Sequence, residues 1–318
     1  MTNLESMSSR EPASFRGHRC AWWGRSRSEM GVWNPAPLDP PVGDSGDAWD
    51  RPQGVRFTRI AAGNFGSAGI TTTGSIVCWG YQFNVQGPRN AEERLREGVG
   101  GSDWIRISCR RWGKFTGVLA LRRDGTLGQA GFVNPKRPTG DRFVDVASSS
   151  DCDAGLREDG RVWSWSRGSA TPHLTEETFV EISGHPDHVS ARRADGRWVV
   201  WSCPGPPREL TGAGTSARRL FLGSQSHLGL DEDGTLVGWG DVAAGVPLGE
   251  RFRTIARGTL GTLGLRMDGR LDCWSESRDP ATAEGGLKAV SGRGSIPDDA
   301  RFVDVQATKL DFIGLLEG

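Results

Sequence analysis

Three of the five histidines, His185, His188 and His227, fall in two stretches of the chain, with Asp187 beside the first pair. Imidazole nitrogens and a carboxylate that converge can hold a divalent metal or serve as acid and base. Their spacing matches no established ligand motif, so the enzyme reading rests on those four side chains alone. Asp124, Asp159, Asp195, Asp233 and Asp268 recur directly before Gly125, Gly160, Gly196, Gly234 and Gly269. Asp-Gly is the chemistry of tight hairpins, which accounts for those carboxylates without acid-base work. Cys20, Cys78, Cys109, Cys152, Cys203 and Cys273 lie dozens of residues apart, with no two-residue gap marking a zinc site or redox pair, and are expected to be buried free thiols. There is no glycine-rich phosphate loop, nucleophile elbow or dinucleotide fingerprint. The balance of these residues favours a non-catalytic protein without a cofactor.

The elements that would position these side chains follow from composition. The 318 residues set a prior of about two domains, although an all-β architecture can absorb the length as one. With 36% hydrophobic residues, 46 glycines and 17 prolines, the chain reads as a packed protein rich in tight turns. Lys plus Arg equals Asp plus Glu at 39 each, which removes the excess positive charge that drives nucleic-acid or membrane-surface binding. No apolar run is long enough for a bilayer span, and the first residues, with Glu5, Arg10, Glu11 and Arg16, lack the apolar segment of a secretory signal. A cytoplasmic monomer is the expectation.

An internal repeat organises the chain. From Phe57, an aliphatic residue follows at plus 3 (Ile60), a small one at plus 12 (Gly69), a glycine at plus 17 (Gly74) and a tryptophan at plus 22 (Trp79). Phe143, Phe179, Ala217 and Phe252 start units on the same ruler, ending in Trp165, Trp201, Trp239 and Trp274. A sixth unit starts at Trp104 with four extra residues and has Ala130 in the tryptophan slot. A seventh opens at Phe302 and stops half-finished at Gly318, while Cys20 to Gly24 resembles the missing strand. Each unit offers three strands, near positions 0 to 5, 10 to 15 and 18 to 23. The reading is all-β: a seven-bladed β-propeller of antiparallel sheets, closed by an N-terminal strand that completes the C-terminal blade. One such domain covers 14–318, after a disordered tail at 1–13 and with irregular loops at 33–54 and 275–300; Ala91 to Glu97 suggests a short helix.

Small residues at plus 12 are expected to let backbones crowd together. The tryptophans should fill the gaps between sheets, so that truncating Trp239 would cost about 3–5 kcal/mol. The turns between first and second strands share one face, which makes that face the candidate site. It would present Phe65, Arg111, Trp112, Asp151, Asp153, Asp187, His188, His227 and Leu310, aromatics flanked by acids as in a protein-binding hot spot.

The unit resembles the RCC1-like (regulator of chromosome condensation) repeats, most closely over Gly223 to Gly240, where Gly229, Leu230, Asp233, Gly234, Leu236, Trp239 and Gly240 match. The resemblance covers about residues 17 to 318 and implies a propeller that binds a protein or peptide through a face. The family's founder is a nucleotide exchange factor for a small GTPase, and a bacterial relative inhibits β-lactamases. With 35 arginines against four lysines the chain reads as bacterial, which makes exchange activity the lesser alternative. The family's histidine slot holds Gly66, Cys152, Ser226, Gly261 and Asp311, and only His188 keeps it, so no relative's contacts carry over.

Overall fold

The computed structural model describes residues 20–24, 52 and 54–317, apart from 65, 81–97, 113–114, 132–133, 135, 169–170, 203–206, 211–216, 224–225, 244, 259–260, 276–299 and 309–310. The tail at 1–13, the loop at 33–54 except Pro52 and Gly54, nearly all of 275–300 and the helix expected over Ala91 to Glu97 lie outside the described residues.

The strands follow the ruler closely. β1 is Cys20–Gly24; the next unit gives β2 (Phe57–Ala62), β3 (Gly66–Thr71) and β4 (Ile76–Gly80). Then come β5 (Trp104–Trp112), β6 (Phe115–Arg122) and β7 (Leu127–Gly131), followed by β8 (Phe143–Ser148), β9 (Cys152–Arg157), β10 (Val162–Ser166) and β11 (His173–Leu174). A second four-strand set is β12 (Glu181–Gly184), β13 (Val189–Arg192), β14 (Trp198–Trp201) and β15 (Arg208–Glu209). The rest are β16 (Arg219–Leu222), β17 (Ser226–Leu230), β18 (Leu236–Gly240), β19 (Phe252–Arg257), β20 (Thr262–Arg266), β21 (Leu271–Trp274), β22 (Phe302–Ala307) and β23 (Asp311–Leu316). The described strands pair into seven small antiparallel sheets, one per unit, in chain order within each except the last, whose order is β22, β23, β1. β1 joins the last sheet, with Trp22 opposite Ile313 and Trp23 opposite Phe312.

Apolar burial lies between sheets. Seven clusters of buried side chains each draw on two sheets, for example Leu119, Leu121, Phe143, Val146 and Trp165 between the second and third. One cluster joins Phe57, Ile60 and Trp79 of the first full unit to Ile313 and Leu315 of the last sheet.

A backbone bond repeats beside this burial. In five units the N–H of the first residue donates to the carbonyl of the preceding turn glycine: Trp104 to Gly74 (3.1 Å), Phe143 to Gly125 (3.0 Å), Phe179 to Gly160 (2.7 Å), Phe252 to Gly234 (2.8 Å) and Phe302 to Gly269 (2.8 Å). These glycines hold φ between 79° and 88°, which L residues rarely adopt. A Cβ on Gly234 would also stand 2.6 Å from the Phe252 carbonyl oxygen. The Ala217 unit breaks the pattern, as no such bond joins it to Gly196. There Trp198, fully buried, donates its indole N–H to the Ala217 carbonyl at 2.7 Å instead.

The plus 12 position is small for a different reason from the one expected. A Cβ on Gly69, Gly155 or Gly264 would meet the ring of the unit's own first phenylalanine at 2.4 or 2.5 Å. The glycine is the floor on which that ring lies. Phe57 and Trp79 pack at 5.4 Å between centroids over Gly69, and Phe252 and Trp274 at 5.5 Å over Gly264. In the unit with Ala191 at this position, the Phe179 and Trp201 rings stand 6.4 Å apart.

Two further expectations change. Trp79, Trp165, Trp201 and Trp274 are buried wedges, but Trp239 is only half-buried, so its truncation should cost less than theirs. Cys78, Cys109 and Cys273 are free thiols, whereas Cys152 is disulfide-bonded.

The turn aspartates accept from the amide two residues on, as Asp124 does from Thr126 at 2.9 Å and Asp268 from Arg270 at 3.0 Å. Hydrogen bonds from such neighbours lower their pKa values, and for Asp233, bonded with Asp231 and Thr235, to about 2. A depressed carboxylate contributes stability above its unfolded value of about 3.9, and that contribution is lost as pH falls through the folded value. NMR titration of the native protein should therefore find Asp233 near 2, and Asp233→Asn should lose less stability than the wild type on acidification; titration near the unfolded value would contradict this. Gly264→Ala should lower stability by about 1–3 kcal/mol through overpacking, measured by denaturant titration. Gly168→Ala, where a Cβ meets nothing within 4 Å, is the control, and an equal effect of the two would show that no ring lies on Gly264.

Candidate functional site

The turns between first and second strands follow the ends of the innermost strands, and there several candidate residues serve as ties. Asp153, expected on the surface, is buried in an ion pair with Arg110 of the neighbouring sheet. Arg110 also donates to Asn134 Oδ1 at 2.8 Å, and Asn134 Nδ2 donates to Asp153 Oδ2 at 3.1 Å and to the Trp165 carbonyl at 3.2 Å. Two charges removed from water need each other and the amide, since breaking such a pair leaves an uncompensated buried charge. Asp153 thus sits buried in a tie between two sheets.

His185 is likewise buried. Its Nδ1 accepts from the Leu222 amide at 3.3 Å, which places the proton on Nε2, and Nε2 donates to Ser190 Oγ at 2.8 Å. Both nitrogens are committed to protein, and the Leu222 bond reaches into the next sheet. His188, half-buried, shares a hydrogen bond with Ser202 Oγ at 2.7 Å, and that hydroxyl donates to the Asp187 carbonyl at 3.1 Å. The Asp187 side chain is exposed, as is Asp151.

His227 is half-buried beside Trp239, with ring centroids 5.7 Å apart. Burial, then the charge of Arg257, then that of His188 push its pKa down. Arg257 in turn donates to the carbonyls of Phe221 at 2.6 Å and Ser226 at 3.0 Å in the preceding sheet. The fold thus brings His188 and His227 within electrostatic reach of each other and commits His185 separately. Arg111 and Trp112 end β5, opposite Thr116 and Phe115 across its hairpin. Phe65 and Leu310 lie outside the described residues. Among the described residues no three His, Cys, Asp or Glu side chains group as metal ligands.

The ruler's second position holds a feature that the sequence reading missed. The pairing slips between Phe57 and Arg59, Trp104 and Arg106, Phe143 and Asp145, and Phe302 and Asp304. The residue after each of these four slips is charged, as are its counterparts Glu181 and Arg219, whereas a fifth slip, between Phe252 and Thr254, leads to an uncharged residue. Arg106 Nε stands 3.5 Å from Asp145 Oδ1. The Arg59 pKa is lowered by burial and by Arg106, against the pull of Asp145 and Asp304, which belong to two different sheets. Burial pushes Asp304 up to about 6, against the Val305 amide, Arg219 and Arg59. Asp145 is raised by burial too. Asp145 and Asp304 thus act on Arg59 from two different sheets. Aligning the seven units at the residue two past the start gives Arg59, Arg106, Asp145, Glu181, Arg219, Thr254 and Asp304, charged in six of the seven.

No family model and no curated protein matches the sequence. Solved structures do. Human WBSCR16 superposes with a TM-score of 0.63 at 15% identity, over 95% of this chain and 100% of that one. Prp20p of Saccharomyces cerevisiae gives 0.65 at 14%, over 96% and 93%. The ectodomain of the Arabidopsis thaliana receptor kinase ACR4 gives 0.51 at 20%, over 70% and 81%. At these identities the likeness concerns the fold, and the chain has the RCC1-like repeat fold.

Proposed function

We propose that the chain is a seven-bladed propeller, closed by β1, that acts as a non-catalytic platform for a protein partner. Seven sheets with an apolar cluster at each junction, including one between the last sheet and the first full unit, support the architecture. The commitment of both His185 nitrogens to Ser190 and Leu222 carries the choice of binding over chemistry, because it withdraws the residue that would complete a histidine site. Asp153 is withdrawn in the same way by Arg110. Solved structures of this repeat fold include Prp20p, described with its binding to Gsp1p and histones, and yeast RCC1 bound to Kap60. Those partners belong to those proteins; what is proposed for this chain is the use of a propeller surface to hold a protein.

Immobilised chain exposed to an extract of its host should retain a protein that, once purified, forms a stoichiometric complex with it. Failure of every purified candidate to bind, together with a metal-dependent turnover abolished by His188→Ala and His227→Ala, would contradict the proposal. Closure has its own test. Deleting residues 1–30 should bare the edge of β23 and produce aggregation or a lower melting temperature, read by light scattering and calorimetry. A truncated monomer with an unchanged melting temperature would show that β1 closes nothing.

A further inference from the structure

Cys152 opens β9 and is fully buried. It is disulfide-bonded, while Cys78, Cys109 and Cys273 are free thiols. The sequence holds six cysteines, so the partner of Cys152 is Cys20 or Cys203. The surroundings of Cys152 separate the two. Its apolar cluster is drawn from the β8–β11 sheet, with Ala147, Ala154 and Leu156, and from the β12–β15 sheet, with Val189, Val199 and Trp201. Cys203 lies outside the described residues, but it follows Trp201 by two positions in the sequence, and two residues of extended chain reach only about 7 Å. Cys20 begins β1, opposite Leu315 of β23 in the last sheet. Among the described residues that sheet shares its apolar clusters with the β2–β4 and β19–β21 sheets. A disulfide needs Cα atoms within about 7 Å of each other, which favours the cysteine next to Trp201 over one in a sheet that packs elsewhere.

The bond falls within a run of ties at the ends of the inner strands. Arg110 of the β5–β7 sheet pairs with Asp153, the residue after Cys152. In the turn before Cys152, the Ser150 amide donates to the carbonyl of Pro186, in the turn between β12 and β13, at 2.8 Å. The Ser149 hydroxyl accepts from the Cys152 amide at 3.1 Å and fixes that turn on its own strand. His185, beside Pro186, accepts from the Leu222 amide in β16, and Arg257 of β19 donates to the Phe221 carbonyl in the same strand. Ties thus cross four consecutive junctions, at the end of the strands where the exposed Asp151 and Asp187 stand.

We infer that a disulfide between Cys152 and Cys203 staples the β8–β11 sheet to the β12–β15 sheet and holds the turns at Asp151 and Asp187 in a fixed relation. Such a bond forms and persists in an oxidising setting. When oxidised glutathione makes it, the two protein thiols give up two electrons and two protons, and one protein disulfide and two glutathione thiols result. Cys152 is enclosed, so a dithiol reaches the bond only when the junction opens, and the bond is a lasting lock in place of a rapid switch. The use of that lock, to keep a docking face in shape before a partner arrives, rests on the protein-binding reading, whereas the bond itself is read without a partner.

The full chain, refolded in a buffer of reduced and oxidised glutathione, is alkylated with iodoacetamide in denaturant and digested with trypsin without reduction. Mass spectrometry should find peptide 143–157 joined to peptide 198–208, and peptide 20–25, which carries Cys20, alone and alkylated. Reduction by dithiothreitol, which leaves as its own cyclic disulfide, should lower the melting temperature by roughly 5 °C or more and speed exchange of the Ser150 amide about tenfold or more. The Cys152→Ala, Cys203→Ala double variant should melt with the reduced chain and not respond to the dithiol, while Cys273→Ser should behave as the wild type does. A link from peptide 143–157 to peptide 20–25, or alkylation of all six cysteines after refolding, would overturn the inference. A mapped bond between Cys152 and Cys203 whose reduction changes neither the melting temperature nor the Ser150 exchange would overturn the lock. Each of these results leaves the protein-binding reading to its own test.

Discussion

One backbone hydrogen bond, from the first residue of a unit to the carbonyl of the glycine in the previous unit's hairpin, recurs at five junctions between the described sheets. A bond of this kind contributes only about 1 kcal/mol net, yet its geometry constrains several residues together. The glycine must adopt positive φ to turn the carbonyl outward, and it must lack a Cβ because the neighbour's backbone lies against it. The first residue must then sit at a set height. Its ring can reach the floor glycine of its own sheet and stack beside the plus 22 tryptophan. Where Ala217 supplies no ring, Trp198 fills the space and replaces the backbone bond with one from its indole. That substitution shows what the junction requires: one large ring and one bond across it.

The same constraint separates the two ends of the strands. At the ends of the inner strands, turns approach closely enough that polar side chains become ties between sheets, and Arg110, Asp153, His185 and Arg257 are all used there. At their starts the glycine bonds already hold the sheets. Side chains at the next two positions include the exposed Val144 and Val180 and further ties between sheets, Arg106 with Asp145 and Arg219 with the Arg253 carbonyl.

Much of this architecture was legible in the sequence. The ruler of Phe, Gly, Gly and Trp gave strand positions correct to a residue or two, and the resemblance of Cys20 to Gly24 to a third strand anticipated its pairing with β23. The cause of the plus 12 glycine was not legible, because spacing reports that a position is small and not which ring lies on it. Trp239 shares its neighbours' spacing yet stays half-buried, since its own unit begins with Ala217 in place of a phenylalanine. The site was harder still. His185 and Asp153 look like surface chemistry from residue type and turn placement; their burial depends on Ser190, Leu222, Asn134 and Arg110, three of which come from other sheets or connections. The charges after the slips went unseen because a residue beside a bulge falls out of the alternation that a strand pattern relies on.

The most direct measurement of the junction is native-state hydrogen exchange at the first residues of the units. If the glycine bonds join the sheets, the amides of Trp104, Phe143, Phe179, Phe252 and Phe302 exchange only through global unfolding, while the amide of Ala217, which lacks this bond, exchanges through local opening. Exchange of those five at the rate of the exposed Asp151 amide would contradict the account.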